Sequence, residues 1–191
     1  AAGAVPPPPG RVRGSGLAFA QNSGCIAGRS VAEYVANASE GAIDEKDVAK
    51  IDERFMKPMK QGGSVKVMEF LPKIHRVIQP LENSLYRKEE RLQAALTEIE
   101  KLQTEIGMLK AESAHDLFGC NEIQSMLICA KLFFTTSLYR KESRGWFLRE
   151  DYPDHGKELT WYTATPTGED LDFVVEPMKL PIDRYPNKEA E

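Results

Sequence analysis

Cysteine is scarce in this 191-residue chain, and its three copies, Cys25, Cys120 and Cys129, are odd in number and form no CxxC pair. Neither a disulfide framework nor a zinc site is expected from them, and a reducing, cytoplasmic setting is the default. Histidine is equally sparse, with His75, His115 and His155 far apart. Cys120 and Cys129 stand nine positions apart on one expected helix and therefore face opposite ways, so no metal site is expected. Long hydrophobic runs are missing too. The longest, Met126 to Phe134, is interrupted by Lys131 and falls well short of the roughly 20 residues of a bilayer-spanning helix, so no transmembrane segment is expected. Clustered basic charge is absent: 25 basic against 29 acidic side chains leave a net charge of −4. That balance offers no electrostatic reason to bind nucleic acid. The first ten residues lack a methionine and the charged start and apolar run of a secretory signal, which reads as a truncated or processed start. Without an export signal the sequon Asn37-Ala-Ser39 is idle. No GxSxG, HExxH, Walker or opening GxGxxG pattern occurs.

What is present is a chain long enough to bury a sizeable core, with 41% hydrophobic residues. Pro6 to Pro9 are extended by their fixed φ and missing donors. From Leu17 to Ala36 small and apolar residues run nearly all round a helix, the pattern of a buried one. Within it Gly24 and Gly28 stand one turn apart, where absent side chains admit a backbone or a ligand. A polar stretch leads to a short charged helix at about Glu45 to Met59, which Gly62-Gly63 breaks. Helical spacing resumes through Val67, Phe70, Leu71, Ile74 and Ile78, with Pro72 and Pro80 set to kink or end its segments. A long helix is then expected from about Leu81, with Leu92, Ala95, Ile99, Leu102, Ile106 and Leu109 along one apolar seam. Another runs from about Ala114 to Glu142, with Leu117, Ile123, Met126, Leu127, Ala130, Phe133, Phe134 and Leu138 inward. Finally, Leu159 to Thr165 and Leu171 to Glu176 are β-rich runs around Pro166-Thr-Gly-Glu-Asp170, which reads as a hairpin. The expected fold is mainly α: an antiparallel helical bundle with a buried amino-terminal helix and a small carboxy-terminal β-hairpin.

Two stretches could carry chemistry. Arg11-Val-Arg-Gly-Ser-Gly-Leu17 is a basic, glycine-rich loop entering a helix. Ser15 or Gly16 can cap that helix, and its first-turn amides and positive dipole end favour an anion. An ordinary cap beside a buried helix explains the same residues. Glu142 to Pro153 is the second stretch. Gly145 suits a helix end, Pro153 prevents resumption, and Arg144, Arg149, Glu150 and Asp151 form an expected ion-pair cluster that fixes the corner.

These two stretches resemble the carboxy-terminal part of the flavoprotein subunit of the succinate dehydrogenase and fumarate reductase family, which includes L-aspartate oxidase and the adenylylsulfate reductase alpha subunit. Arg11 to Gly28 is similar, without a gap, to the family's Asn-Arg-Leu-Gly-Gly-Asn-Ser-Leu-Leu-Asp segment followed by Phe-Gly-Arg-Ala-Ala-Gly. Glu-Ser-Arg-Gly followed by Arg-Glu-Asp-Tyr-Pro, Glu142 to Pro153, is the more specific pattern, with Ser143, Arg144, Gly145, Arg149 and Asp151 as its structural residues. Between them Leu85 to Leu92 looks like the Phe-Arg-x-x-Glu-x-Leu opening of the helical domain. Gly10 replaces the family's asparagine, and Phe147 stands where several members have histidine.

The resemblance implies FAD as cofactor, with Ser15, Gly16 and Leu17 against the flavin's pyrimidine edge and Arg11 gripping a substrate carboxylate. It implies hydride transfer between flavin and a small anionic, dicarboxylate-like substrate. It further implies an iron-sulfur or other electron-transfer subunit as partner, and a cytoplasmic location peripheral to the inner face of a membrane through that subunit. Residues 1–40 then correspond to the end of an FAD-binding domain, 41–63 to a linker with a short helix, 64–156 to the helical bundle and 157–191 to the hairpin and tail. No catalytic residue is expected within the chain, which should not turn over alone. A reading from another class is a non-catalytic helical module that dimerises through the Leu92 to Leu109 seam, although that seam persists for under three heptads.

Overall fold

The computed structural model describes residues 15–39, 41–145, 147–156, 160–167 and 172–179. The chain divides into two compact units, Ala1–Asp52 and Glu53–Glu191. The first contains helix α1 (Ser15–Asn37) and the start of α2 (Glu45–Lys60). Asp44 starts α2 by accepting a hydrogen bond from the Lys46 amide on its carboxylate at 2.9 Å. Glu45 and Asp47 in the first turn, and Lys57 and Lys60 in the last, match the sign of the helix dipole at each end.

Helix α1 corrects the expectation of a buried amino-terminal helix. Leu17 is 77% exposed and Tyr34 74%, with Ile26, Val31 and Val35 exposed as well. The helical assignment holds while the burial does not: the apolar side chains described in the rest of its own unit, Ile43, Val48 and Ile51, are themselves exposed rather than packed over an apolar set that wraps the helix.

The second unit is a sealed bundle. Gly62, at φ +67°, breaks the chain after α2, and a Cβ at Gly63 would stand 2.2 Å from the Leu109 carbonyl oxygen. Only a glycine lets these two backbones meet. There Ser64 and Val65 donate to the Met108 carbonyl, and Lys110 donates back to Val65. Helix α3 (Val67–Ile78) follows, accommodating Pro72, and Pro80 stands just beyond it. The expected continuous helix from Leu81 is instead broken into α4 (Leu81–Ser84), the two-residue strand β1 (Tyr86–Arg87) and α5 (Glu89–Thr104). Lys88 is extended, at φ −141°, and the interruption lets β1 pair in parallel with β2 (Leu148–Arg149). A 3₁₀ turn (Ile106–Met108) carries the end of the seam, and α6 spans Ala114–Tyr139. Ser113 caps α6: its Oγ accepts from the Asp116 amide at 3.2 Å and donates to the Asp116 carboxylate at 2.7 Å. That carboxylate is held below its usual range, first by the Ser113 hydroxyl and then by the Glu112 amide.

The core is one cluster drawn from α3, α5, α6 and the segment between α5 and α6, with Phe70, Ile74, Leu92, Ile99, Leu109, Leu127 and Phe134 fully enclosed. Phe133, expected inward, is half-exposed because its neighbour Phe134 takes the core position. Opposite facing of the two helix cysteines is seen: Cys120 is buried and Cys129 exposed. Burial pushes the Cys120 thiol pKa up, with Asp116 adding to it. Helix α6 is long and apolar enough to cross a membrane by length and composition. Its stripe of Leu117, Cys120, Ile123, Leu127, Ala130 and Phe134 is nevertheless buried in the bundle, the pattern of a core helix.

The hairpin pairs β3 (Thr160–Thr167) with β4 (Asp172–Lys179), from Thr160 opposite Lys179 to Thr167 opposite Asp172. Part of the expected turn, residues 168–170, lies outside the described residues. An ion pair from Lys131 to Asp172, with the Lys131 ammonium also 5.9 Å from the Phe173 ring, fixes the hairpin on α6.

Candidate functional site

Of the amino-terminal loop, Arg11 lies outside the described residues. Ser15 is the first residue of α1, with Gly16 and Leu17 in its first turn, so their amides have no acceptor inside the helix. A Cβ added at Gly24 or Gly28 would meet nothing within 4 Å. That face of α1 is open among the described residues.

The second stretch forms a dense polar corner at the junction of α5 and α6. Arg149 is fully buried and uses its whole fork. Nη1 donates to the carbonyls of Ser137 at 2.7 Å and Arg140 at 3.0 Å, which end α6. Nε and Nη2 donate to the two Asp151 oxygens, both at 2.8 Å. Asp151 then accepts the Glu89 amide at 2.8 Å, capping α5 from 62 residues away. A cation thus closes the negative end of α6 while its carboxylate closes the positive end of α5, each complementing the helix dipole. The Arg149 hydrogen bond, outweighing burial and helped by the Glu89 amide, lowers the Asp151 pKa to about 2.

Ser143 holds the loop that presents these groups. Its Oγ accepts from the Arg149 amide at 2.8 Å and lies 2.9 Å from the Tyr152 carbonyl and 3.1 Å from that of Arg149. Gly145, at φ +59°, turns the chain so that Arg144 and Phe147 exchange backbone hydrogen bonds of 2.8 and 3.0 Å. Arg144 is not bound to Asp151 or Glu150, as a single cluster would require. It donates through Nε to Glu142 at 3.1 Å and through Nη2 to the Gly156 carbonyl at 2.7 Å. Glu142 also accepts from Arg140 at 2.6 Å and from the Gly156 amide at 3.0 Å. Burial would raise the Glu142 pKa, but Arg144, the Gly156 amide and Arg140 together hold it low. Glu150 pairs with Arg91 instead. The expected cluster is therefore three separate carboxylate centres.

Two members of this corner escaped the sequence reading as site residues. Arg87 on β1, only 7% exposed, lies with its guanidinium carbon 4.9 Å from the Phe133 ring centroid and 4.6 Å from that of Phe147. Arg140 lies 5.5 Å from the Phe147 ring and 5.2 Å from that of Tyr162, so rings and guanidinium groups alternate from α6 to the hairpin. Burial, followed by repulsion from Arg149, lowers the Arg87 pKa to about 10. The stretch Leu85 to Leu92 stood out in sequence, but which of its residues meets Phe147 depends on pairing across about sixty positions. Among the described residues no group of three or more metal-ligating side chains gathers.

Comparison with known proteins places this corner in a lineage. Residues 79–189, more than half the chain, match the family model described as fumarate reductase flavoprotein C-term. An uncharacterized FAD-dependent oxidoreductase of Methanocaldococcus jannaschii is 37% identical over 149 residues, covering 78% of this chain and 27% of that protein. A fumarate reductase (CoM/CoB) subunit of Methanothermobacter marburgensis is 28% identical, covering 75% and 26%. The succinate dehydrogenase flavoprotein subunit of Rickettsia conorii is 30% identical, covering 76% and 24%. The chain thus spans about a quarter of the length of the curated relatives it matches. In fold it superposes on quinol fumarate reductase FrdA of E. coli with a TM-score of 0.76 at 21% identity, over 86% of this chain and 30% of that one. Adenylylsulfate reductase of Archaeoglobus fulgidus gives 0.72 at 19% identity, over 85% and 28%. The chain belongs to the fumarate reductase flavoprotein carboxy-terminal family.

Proposed function

We propose that this chain is the carboxy-terminal part of an FAD-dependent oxidoreductase of the fumarate reductase and succinate dehydrogenase type, acting on a small anionic substrate. The family match over residues 79–189 carries this reading. In it residues 1–40 end the FAD-binding domain, 41–63 link it to the bundle of 64–156, and 157–191 form the hairpin and tail. The residues of α1 fit a flavin edge: its first-turn amides have no helical acceptor, Leu17 is exposed, and the Gly24 and Gly28 face is open. Ser15, Gly16 and Leu17 would hold the pyrimidine side, where a positive helix end suits the negative charge of reduced flavin. When bound, the flavin supplies the hydride chemistry.

Arg11 orients the substrate, because a planar fork of donors matches a carboxylate bidentately. The Arg149 and Asp151 corner ties the end of α6 to the start of α5 within the bundle. An electron-transfer subunit, iron-sulfur in character, is the partner that would exchange electrons with such a protein and hold it at the inner face of a membrane. The catalytic acid lies outside this chain, so the chain alone is inactive. The dimerising alternative loses its basis, since Leu92, Ala95, Ile99, Leu102 and Leu109 are all buried inside the chain's own bundle. Purifying the whole protein that carries this chain decides the matter: a flavin absorbance band that co-elutes with the folded protein is expected. A folded but colourless protein that flavin does not reconstitute overturns the proposal.

A further inference from the structure

Helices α5 and α6 each turn one face to the core, and their other faces differ in kind. The exposed positions of α5 include Glu90, Glu98, Glu100 and Lys101, with Ala94 the one apolar residue among them. That is the pattern of a helix that faces water. On α6 the outward line is Phe118, Glu122, Ser125, Cys129 and Phe133. Steps of four, three, four and four keep these residues on one face, opposite the core positions Cys120, Ile123, Leu127 and Phe134. The line runs for about 22 Å of helix at 1.5 Å per residue, and Glu122 is its one charge. Phe118 is 62% exposed even though the Phe55 ring meets it edge-on at 5.9 Å. A face depleted in charge and carrying aromatic rings has the composition of an interface core, not of a solvated helix.

We propose that the outer face of α6 packs against the rest of the same polypeptide, the part read above as carrying the FAD-binding domain. The proposal rests on that reading of the chain as the carboxy-terminal part of a longer protein. Length identifies the occupant: the chain covers 27%, 26% and 24% of three curated relatives, so most of a protein of that size lies outside it. Nearly uncharged, aromatic surfaces belong to contacts that stay covered, whereas contacts made and broken in water are about as polar as the surface around them. A covalently joined neighbour supplies such permanent cover. Helix α5, on the same bundle, needs none and carries the charges that α6 lacks.

Cys129 is exposed within this line and reports its cover. The test follows its reaction with N-ethylmaleimide, by mass spectrometry of the peptide that contains it, in the 191-residue chain and in the monomeric whole protein. Labelling in the whole protein is expected to be about a hundredfold slower than in the chain, as for a thiol that reacts only through local opening. Ser125→Arg, which sets a second charge in the line, should leave the Tm of the chain unchanged and lower that of the whole protein. The labelling needs no substitution, so it decides even where Ser125→Arg does not fold. Equal labelling rates in chain and whole protein overturn the proposal. So does protection that grows with the concentration of the chain, which gives the face to a second copy, or protection of the whole protein that appears only when a separate subunit is bound. Flavin is read independently: a colourless whole protein with Cys129 protected keeps the contact and removes the flavin reading, and a flavin-loaded one with Cys129 reactive does the reverse.

Discussion

Helix α1 and helix α6 are both long and apolar, yet one is exposed and the other forms the centre of a core. Their compositions differ little in kind: each carries small residues, scattered aliphatics and few charges. What separates them is a partner. Helix α6 meets α3 and α5, whose apolar stripes have matching spacing, so Phe70, Ile74, Leu92 and Ile99 close over it. Among the described residues of its own unit α1 meets nothing comparable, and Leu17, Ile26 and Tyr34 stay exposed. Burial is a property of a pair of surfaces, and apolar pattern alone specifies only one of the two.

The comparison breaks most visibly on removing a large side chain from each helix. Phe134→Ala in α6 leaves a cavity where a fully enclosed ring stood and should cost about 3–5 kcal/mol in urea unfolding. Ile26→Ala in α1 removes an exposed side chain and should change stability by less than about 0.5 kcal/mol. Similar losses at the two sites would show that α1 is covered in solution. Next in size is Arg149→Met, which leaves the Asp151 carboxylate and the α6 terminal carbonyls without their donor. Breaking a buried pair from one side costs about 3 kcal/mol or more, and hydrogen exchange should rise at both the start of α5 and the end of α6.

The same corner fixes an acid limit. An Asp151 carboxylate with a pKa near 2 in the fold, against about 4 in an unfolded chain, stabilises fully above about pH 4. That contribution is lost as pH falls through about 2, so stability should fall across this window and Asp151→Asn should flatten the fall. A chain and variant with parallel pH profiles would show that the Arg149 pair does not hold Asp151 in its charged form.

Much of this was legible in sequence because it depends on local spacing. The steps of three and four through Leu92, Ile99 and Leu102 name a buried face wherever the partner helix lies, and the β-rich runs around Pro166 name a hairpin. The break between α4 and α5 was not legible, since Leu81 to Thr104 carries no strong breaker. It exists because Leu148 and Arg149 pair with Tyr86 and Arg87, and Asp151 caps the Glu89 amide, all contacts across about sixty residues. Serine, arginine and aspartate of the corner were named from their motif, but Arg87 became visible only when the fold set it against Phe133 and Phe147.

Glycines give the finest test of the contrast between the sealed and open units. Gly63→Ala forces a methyl group onto backbone, 2.2 Å from the Leu109 carbonyl oxygen, and should cost about 1–3 kcal/mol through displacement of the Val65 to Leu109 bridge. Gly28→Ala should act in the opposite direction. Its Cβ meets nothing within 4 Å, and alanine in a helix interior is favoured over glycine by up to about 1 kcal/mol. In this chain the substitution should therefore raise the helical circular dichroism of α1 and its resistance to proteolysis. In the whole protein, the same methyl would stand on the open glycine face of α1 proposed to fit the flavin edge, and it should lower flavin retention. A variant that stabilises α1 here and leaves flavin binding unchanged there would place the docking face of α1 elsewhere on the helix.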